Sequence, residues 1–254
     1  MNEQIKDSIK RAVGSLGFEI RRRTEAPGRN VWMRALGIDT VLDIGANIGQ
    51  FAAQARIDFP SAHIYSFEPL PDCFRRLVRS RAGDDRFTGF DVALTDISGT
   101  VDLRRSSSSA SSSLLRMADL HRESFPATAG ETVVTVNAQR LDDVARTLSL
   151  GQHILLKMDV QGAEDRVIRG GAGTIARADV VLTETSFLEL YEKQPLFHDI
   201  YLSLTKLGFR YMGSAGYLPS PIHGVNLSED SVFVHERLIG LLMNTAAAGT
   251  ADLA

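Results

Sequence analysis

The segment Asp43-Ile44-Gly45-Ala46-Asn47-Ile48-Gly49 sets a carboxylate, two glycines and an amide on alternate positions. An apolar run precedes it and a helical period follows. Glycine at such a place lets the backbone approach a ligand closely and takes conformations that other residues avoid. The helix that follows offers free N–H groups to an anion. Two further carboxylates close later apolar runs, Glu68 in Phe67-Glu68-Pro69 and Asp91 in Phe90-Asp91-Val92-Ala93. Glu68 is suited to accept hydrogen bonds from both hydroxyls of a ribose. Asp91 either accepts from an adenine amino group, with backbone at Val92 or Ala93 reading the ring edge, or simply faces solvent.

A dinucleotide-binding loop of the form G-x-G-x-x-G needs glycines that leave room for a pyrophosphate. Asn47 stands at its second glycine position. The loop therefore fits S-adenosylmethionine better. Its carboxylate would meet the helix N-terminus around Ala46, Asn47 and Gly49. Its ammonium would meet Asp43, directly or through water.

The elements that must position these groups alternate from residue 40 onward. Thr40–Ile44, His63–Phe67, Arg86–Ala93, His153–Asp159 and Asp179–Glu184 read as buried strands. Helical periods cover Gly49–Ile57, Pro71–Ser80 and residues 163–177 and 195–207. Short apolar runs joined by helices indicate βαβ crossovers and a parallel sheet. Phe209–Gly213 and Ser231–His235 are expected to pair as an antiparallel hairpin. Thr100–Arg104 and Thr132–Ala138 read as exposed strands around Ser106–Ser113, a run of seven serines and one alanine. That run has little to bury and is expected to be a mobile loop, with a substrate lid as the alternative. The expected organisation is a helical segment over 1–37, with an amphipathic helix over 2–18, a main domain over 38–236 with the insertion near 100–138, and a tail over 237–254.

Composition excludes several classes. A net charge of −3 gives no electrostatic reason for nucleic-acid binding, and no Asn/Asp-Pro-Pro-Tyr/Phe acceptor motif is present. No uninterrupted apolar run is long enough to span a bilayer, and Met1–Lys10 lacks the apolar core of a secretory signal. Cys73 is the single cysteine, so no intrachain disulfide framework exists, which fits a reducing cytoplasm. The apolar stretch Leu238–Met243 either covers its own domain or pairs subunits in a homodimer.

Asp43-Ile-Gly-Ala-Asn-Ile-Gly, Phe67-Glu-Pro, Ala93-Leu-Thr-Asp96 and Leu156-Lys-Met-Asp159-Val-Gln161-Gly-Ala-Glu164 occur in that order. With them the chain resembles the FkbM family of S-adenosylmethionine-dependent O-methyltransferases over residues 38–235. The resemblance implies an α/β, Rossmann-like class I methyltransferase fold, with a seven-stranded, mostly parallel sheet of order 3-2-1-4-5-7-6. It also implies methylation of a hydroxyl on a sugar, such as that of a glycolipid, or on a polyketide-type metabolite. The family commonly reads Asp-x-Glu-Gly where this chain has Asp159-Val160-Gln161-Gly162, so a base or metal-ligand role for position 161 does not carry over.

Ligands gather at the carboxyl ends of parallel strands. Asp43, Glu68, Asp91, Asp159 and Glu184 all close expected strands, and so much negative charge needs compensation. A sugar hydroxyl is a weak nucleophile and needs a base or a metal. Asp159 and Glu184 are the candidates to orient or deprotonate it, or to hold Mg²⁺. Asp159 is also a candidate cofactor contact, and His223 in the late loop is a further candidate base. Lys157 is expected to be packed or paired, and Glu164 to be a first-turn helix charge. His63 and His153 fall on the far rim, His121 in the insertion and His198 at a helix start. Outside this reading stand O-methylation of a polyketide or peptide product, an NAD-dependent oxidoreductase, and a SAM-binding protein without catalysis.

Overall fold

The computed structural model describes residues 31–240. The helix expected over 2–18 lies outside the described residues, as do most of the 1–37 segment and of the 237–254 tail; Leu238 is buried.

The first elements follow their residue types closely. A short helix α1 (Val31–Ala35) leads to β1 (Thr40–Ile44), α2 (Gln50–Asp58), β2 (His63–Phe67) and α3 (Pro71–Ser80). Every residue of β1 is buried, as expected of a strand covered on both faces. Pro71 opens α3, where its missing N–H costs nothing. The expected strand 86–93 divides in two. β3 (Phe87–Phe90) stays beside β2, while β4 (Ala93–Leu94) leaves the sheet at Asp91–Val92 and joins a second one.

That second sheet holds the insertion. β5 (Gly99–Ser106) and β6 (Glu131–Gln139) pair antiparallel along their length, and β4 lies parallel to β6. Between β5 and β6 lies α4 (Asp119–Ser124). The Arg105 guanidinium grips Asp72 of α3 with two hydrogen bonds of 2.6 and 2.7 Å, which ties the insertion to the main layer. His121, expected in a mobile segment, is buried on α4 with its ring edge-on to Tyr191 and Phe125.

The chain continues through α5 (Leu141–Ala145), β7 (Ile154–Met158), α6 (Glu164–Ile175), β8 (Val180–Ser186), α7 (Phe197–Lys206), β9 (Phe209–Pro219) and β10 (Asn226–His235). α5 is too short for its period to stand out in the sequence. The main sheet runs β3-β2-β1-β7-β8-β10-β9. Numbered within this sheet alone, that order is 3-2-1-4-5-7-6, the class I methyltransferase arrangement. The first five strands are parallel, and β10 alone is reversed, pairing antiparallel with both β8 and β9. The β9–β10 hairpin is longer than its expected pieces and carries register shifts that break the alternation. Among the described residues, no helix is long and apolar enough to cross a membrane.

The sheet reverses connection between β1 and β7, where ligands gather in open α/β folds. Just past β1, Gly45 has φ +74°. A Cβ placed there would lie 1.9 Å from the Asp159 carbonyl oxygen. Glycine is therefore demanded by the neighbouring strand as well as by any ligand. Gly45→Ala is expected to destabilise the fold by about 3 kcal/mol, lowering Tm by about 6–12 °C. Thermal unfolding checks this, and an unchanged Tm would refute the close approach.

Candidate active site

The loop after β1 is held from below by backbone. Gly45 and Ala46 both donate to the Phe67 carbonyl, at 3.1 and 3.0 Å. Asn47 takes a left-handed conformation, φ +48°, and its N–H donates to Glu68 Oε2 at 2.8 Å. Glu68 Oε1 accepts from Leu70 N–H at 2.8 Å. Both carboxylate oxygens are thus fixed in place while the side chain still lines a cleft. Burial raises the Glu68 pKa, and the two N–H donors pull it back.

That cleft has a volume of about 270 Å³. Ala46, Asn47, Glu68, Pro69, Val92 and Ala93 line one part of it, and Lys157, Asp159 and Gln161 another. Its remaining wall comes from the insertion. Ser109 Oγ donates to Asn47 Oδ1 at 2.9 Å, and Ser113 Oγ donates to the Gln161 carbonyl at 2.6 Å. Ser113 and Arg104 also exchange backbone hydrogen bonds. The serine run expected to be a mobile loop is instead a folded wall of the cleft. Hydroxyl hydrogen bonds hold it where apolar burial is lacking.

Asp43 does not reach the cleft. It is fully buried behind it, accepting from Ser66 Oγ at 3.0 Å and standing 3.5 Å from Lys157 Nζ. Burial raises its pKa, and Lys157 opposes this. The group lining the cleft is Lys157, which donates to the Gly45 carbonyl at 2.7 Å and lies 3.6 Å from Asp159 Oδ2. Burial alone would lower the Lys157 pKa, but Asp159 and Asp43 outweigh it and raise the pKa above its ordinary value. Lys157 is paired as expected, yet it belongs to the site. Parallel register sets it beside Asp43, and alternation puts it on the same side as Asp159.

Glu184 lies beyond Asp159. The Gln161 amide joins them, donating to Asp159 Oδ1 at 2.7 Å and to Glu184 Oε2 at 2.8 Å. Ser228 Oγ donates to Glu184 Oε1 at 2.8 Å. Burial, then the nearby Asp159 and Glu164 carboxylates, push the Glu184 pKa up to about 8. Glu164, read from the sequence as a first-turn charge, is buried and accepts the Val160 N–H at 2.9 Å.

Three candidates stand apart. Asp91 is exposed and borders a different, shallower cleft with Asn137 and Asp143, because the chain turns out of the main sheet there. His223 is exposed in the β9–β10 loop and does not line the cleft. Gly49 starts α2 and packs against α3, where an added Cβ would meet Leu77 at 2.9 Å, rather than lining the cleft. Among the described residues, no group of three or more His, Cys, Asp or Glu side chains could hold a metal. Mg²⁺ bridging Asp159 and Glu184 would have to displace the Gln161 amide that joins them. Each oxygen of Asp159 and Glu184 already faces the Gln161 amide, the Lys157 ammonium or the Ser228 hydroxyl.

The residues do fit an adenosyl ligand. Glu68 offers a pre-aimed acceptor for a diol, Val92 and Ala93 an apolar wall for a base, and Lys157 with the start of α2 a positive end for a carboxylate.

A model of the methyltransferase FkbM domain matches residues 43–211. The 2-O-methyltransferase NoeI of Sinorhizobium fredii is 33% identical over 160 residues, 61% of this chain and 66% of that protein. The 31-O-demethyl-FK506 methyltransferase FkbM of Streptomyces tacrolimicus is 30% identical over 155 residues, 52% of this chain and 59% of that one. The hexuronic acid methyltransferase AglP of Haloferax volcanii is 26% identical over 150 residues, 58% and 55% respectively. The chain thus spans less than two thirds of the length of these relatives. A crystal structure of a methyltransferase FkbM from Methylobacillus flagellatus aligns with TM-score 0.48 and 12% identity, covering 78% of this chain and 44% of that one.

Burial raises the Glu164 pKa to about 7, against the pull of the Val160 N–H. The folded chain then keeps a proton that the unfolded chain has released above about pH 4.5. This contribution is full below that pH and is lost as pH rises through about 7, by an amount of the order of 3 kcal/mol. Stability in urea should therefore fall between pH 5 and pH 8, and Glu164→Gln should flatten that fall. Equal slopes in the two proteins would overturn the assignment.

Proposed function

The chain belongs to the methyltransferase FkbM domain family, and we propose that it moves a methyl group from S-adenosylmethionine to a hydroxyl oxygen of a small carbohydrate-type acceptor. The observation that carries this reading is Asp159. Its carboxylate lines the same cleft as Glu68 and the Gly45–Asn47 loop, so a base stands beside a site suited to an adenosyl ligand.

When bound, S-adenosylmethionine supplies a methyl group activated by its positive sulfur. The chain's own part is to hold the acceptor and take its proton. Asp159 would accept the hydroxyl proton as the oxygen's electron pair forms the new carbon–oxygen bond and the methyl–sulfur bond breaks, its electron pair staying on the neutral thioether sulfur that leaves. The Lys157 ammonium, 3.6 Å from Asp159 Oδ2, keeps that acceptor oriented from the opposite side. Glu184, pushed up to about 8, is poorly suited to be the base near neutrality. It serves instead to anchor the Gln161 amide. The serine wall excludes water and presents hydroxyls, which suits an acceptor rich in hydroxyls. Much of the rate gain from such a site comes from positioning.

AglP, named as a hexuronic acid methyltransferase, supports a sugar acceptor, and NoeI, named as a 2-O-methyltransferase, supports an oxygen as the methyl acceptor. A polyketide hydroxyl is the second reading, favoured by the FK506-modifying relative.

Two substitutions separate the roles. Asp159→Asn should lower kcat by roughly 10²–10⁴-fold and leave the Kd for S-adenosylmethionine within a few-fold. Glu68→Ala should weaken that Kd by about 10–100-fold, from the loss of two charge-assisted hydrogen bonds. Calorimetry with S-adenosylmethionine and methyl transfer to a panel of sugar acceptors measure both. Full turnover by Asp159→Asn would remove Asp159 from the chemistry.

A further inference from the structure

Gln161 lies in the turn between β7 and α6 with φ +55°, a left-handed conformation that few residues other than glycine adopt without cost. Something must hold it there, and the side chain shows what does. One amide nitrogen serves two carboxylates, Asp159 at 2.7 Å and Glu184 at 2.8 Å. The amide oxygen faces the Tyr191 hydroxyl at 2.7 Å, and the Asp159 carboxylate, which only accepts, fixes which end of the amide is the nitrogen. The same hydroxyl lies 3.0 Å from the Ser111 carbonyl, and the Gln161 main-chain carbonyl accepts from Ser113. Each polar atom of the side chain is therefore used.

Two carboxylates converging on one point ordinarily call for a cation between them. Here the point is taken by a neutral group with two N–H donors. We propose that Gln161 is the positioning residue of the methyl-transfer site, its amide standing where a divalent cation would otherwise bridge Asp159 and Glu184. The inference rests on the reading of Asp159 as the proton acceptor. Gln161 lines the cleft beside Asp159, with the polar atoms of its side chain spent on protein partners. It sets the aim of Asp159 and, through Tyr191 and Ser113, locks that aim to the serine wall.

The test replaces the amide by a carboxylate, Gln161→Glu. This removes both donors and completes a cluster of three carboxylates. Free Mn²⁺, followed by its electron paramagnetic resonance signal, reports directly on the cluster without any substrate. The wild-type chain should leave millimolar Mn²⁺ free and keep its turnover in EDTA. Gln161→Glu should take up Mn²⁺ and lose at least about 100-fold in kcat, with the Kd for S-adenosylmethionine within three-fold of wild type. Tyr191→Phe is the second variant, should Gln161→Glu fail to fold. It removes the hydroxyl that orients the amide and should lower kcat by about 10-fold at unchanged cofactor affinity. Loss of wild-type turnover in EDTA with recovery in Mg²⁺ would overturn the proposal, as would wild-type kcat in both variants. A wild-type chain that binds S-adenosylmethionine but methylates no sugar would instead count against the acceptor reading, and the Mn²⁺ measurement would still decide the role of Gln161.

Discussion

The Lys157 ammonium stands between two carboxylates, 3.5 Å from Asp43 and 3.6 Å from Asp159, with the Gly45 carbonyl at 2.7 Å. Its position follows from register. Ser66, Asp43 and Lys157 are neighbours across β2, β1 and β7, so one polar row crosses these three adjacent strands. A carboxylate as buried as Asp43 is tolerated only when paired and hydrogen-bonded. At an effective dielectric of about 20, each of the Lys157 attractions amounts to some 4–5 kcal/mol before desolvation is counted. The same ammonium ties the loop after β1 to the end of β7. Loop shape and the placement of Asp159 are therefore one constraint.

From that constraint the charge at the rim sorts itself out. Five carboxylates ending five strands would repel one another in a single cleft. The fold withdraws Asp43 behind Lys157 and leaves Asp91 in solvent where the chain exits the sheet. Glu68 is pinned by two backbone N–H groups. Asp159 and Glu184 remain, and they differ in their company. Asp159 faces the ammonium. Glu184 faces a neutral amide and a hydroxyl, and burial among carboxylates pushes its pKa up to about 8. Two like residues thus sit in unlike environments.

Much of the main sheet was legible in the sequence because its signals are local. The apolar run Thr40–Ile44 and Pro71 at a helix start set their own boundaries. The loop residues Gly45–Asn47 and Glu68, singled out by residue type and spacing, line one cleft. What was hidden depends on tertiary contact. Nothing in Phe87–Leu94 announces that the chain changes sheets at Asp91, so an exposed residue looked like a ligand contact. Lys157 was expected to be packed or paired, but only the β1–β7 register shows that a partner is Asp43. Ser106–Ser113 has no apolar period, so pattern reading suggested mobility, while its order comes from partners such as Asn47, some 60 residues earlier.

The insertion holds its two ends to the domain with very different strength. Its stem is a full antiparallel pairing of β5 with β6, clamped to α3 by the two-point Arg105–Asp72 contact. Its tip touches the cleft through hydroxyl contacts, Ser109 to Asn47, Ser113 to Gln161 and Tyr191 to Ser111. Net contributions of about 1 kcal/mol for each such bond add to roughly 3 kcal/mol. Unpairing the stem would cost far more, since it breaks a whole ladder and uncovers Leu103 and Val136. The tip is also tied to the stem, since Ser113 and Arg104 exchange two backbone hydrogen bonds. Two of the tip's three contacts end on Gln161 or on Tyr191, which itself faces Gln161. The place of the serine wall is thus coupled to the residue that joins Asp159 to Glu184.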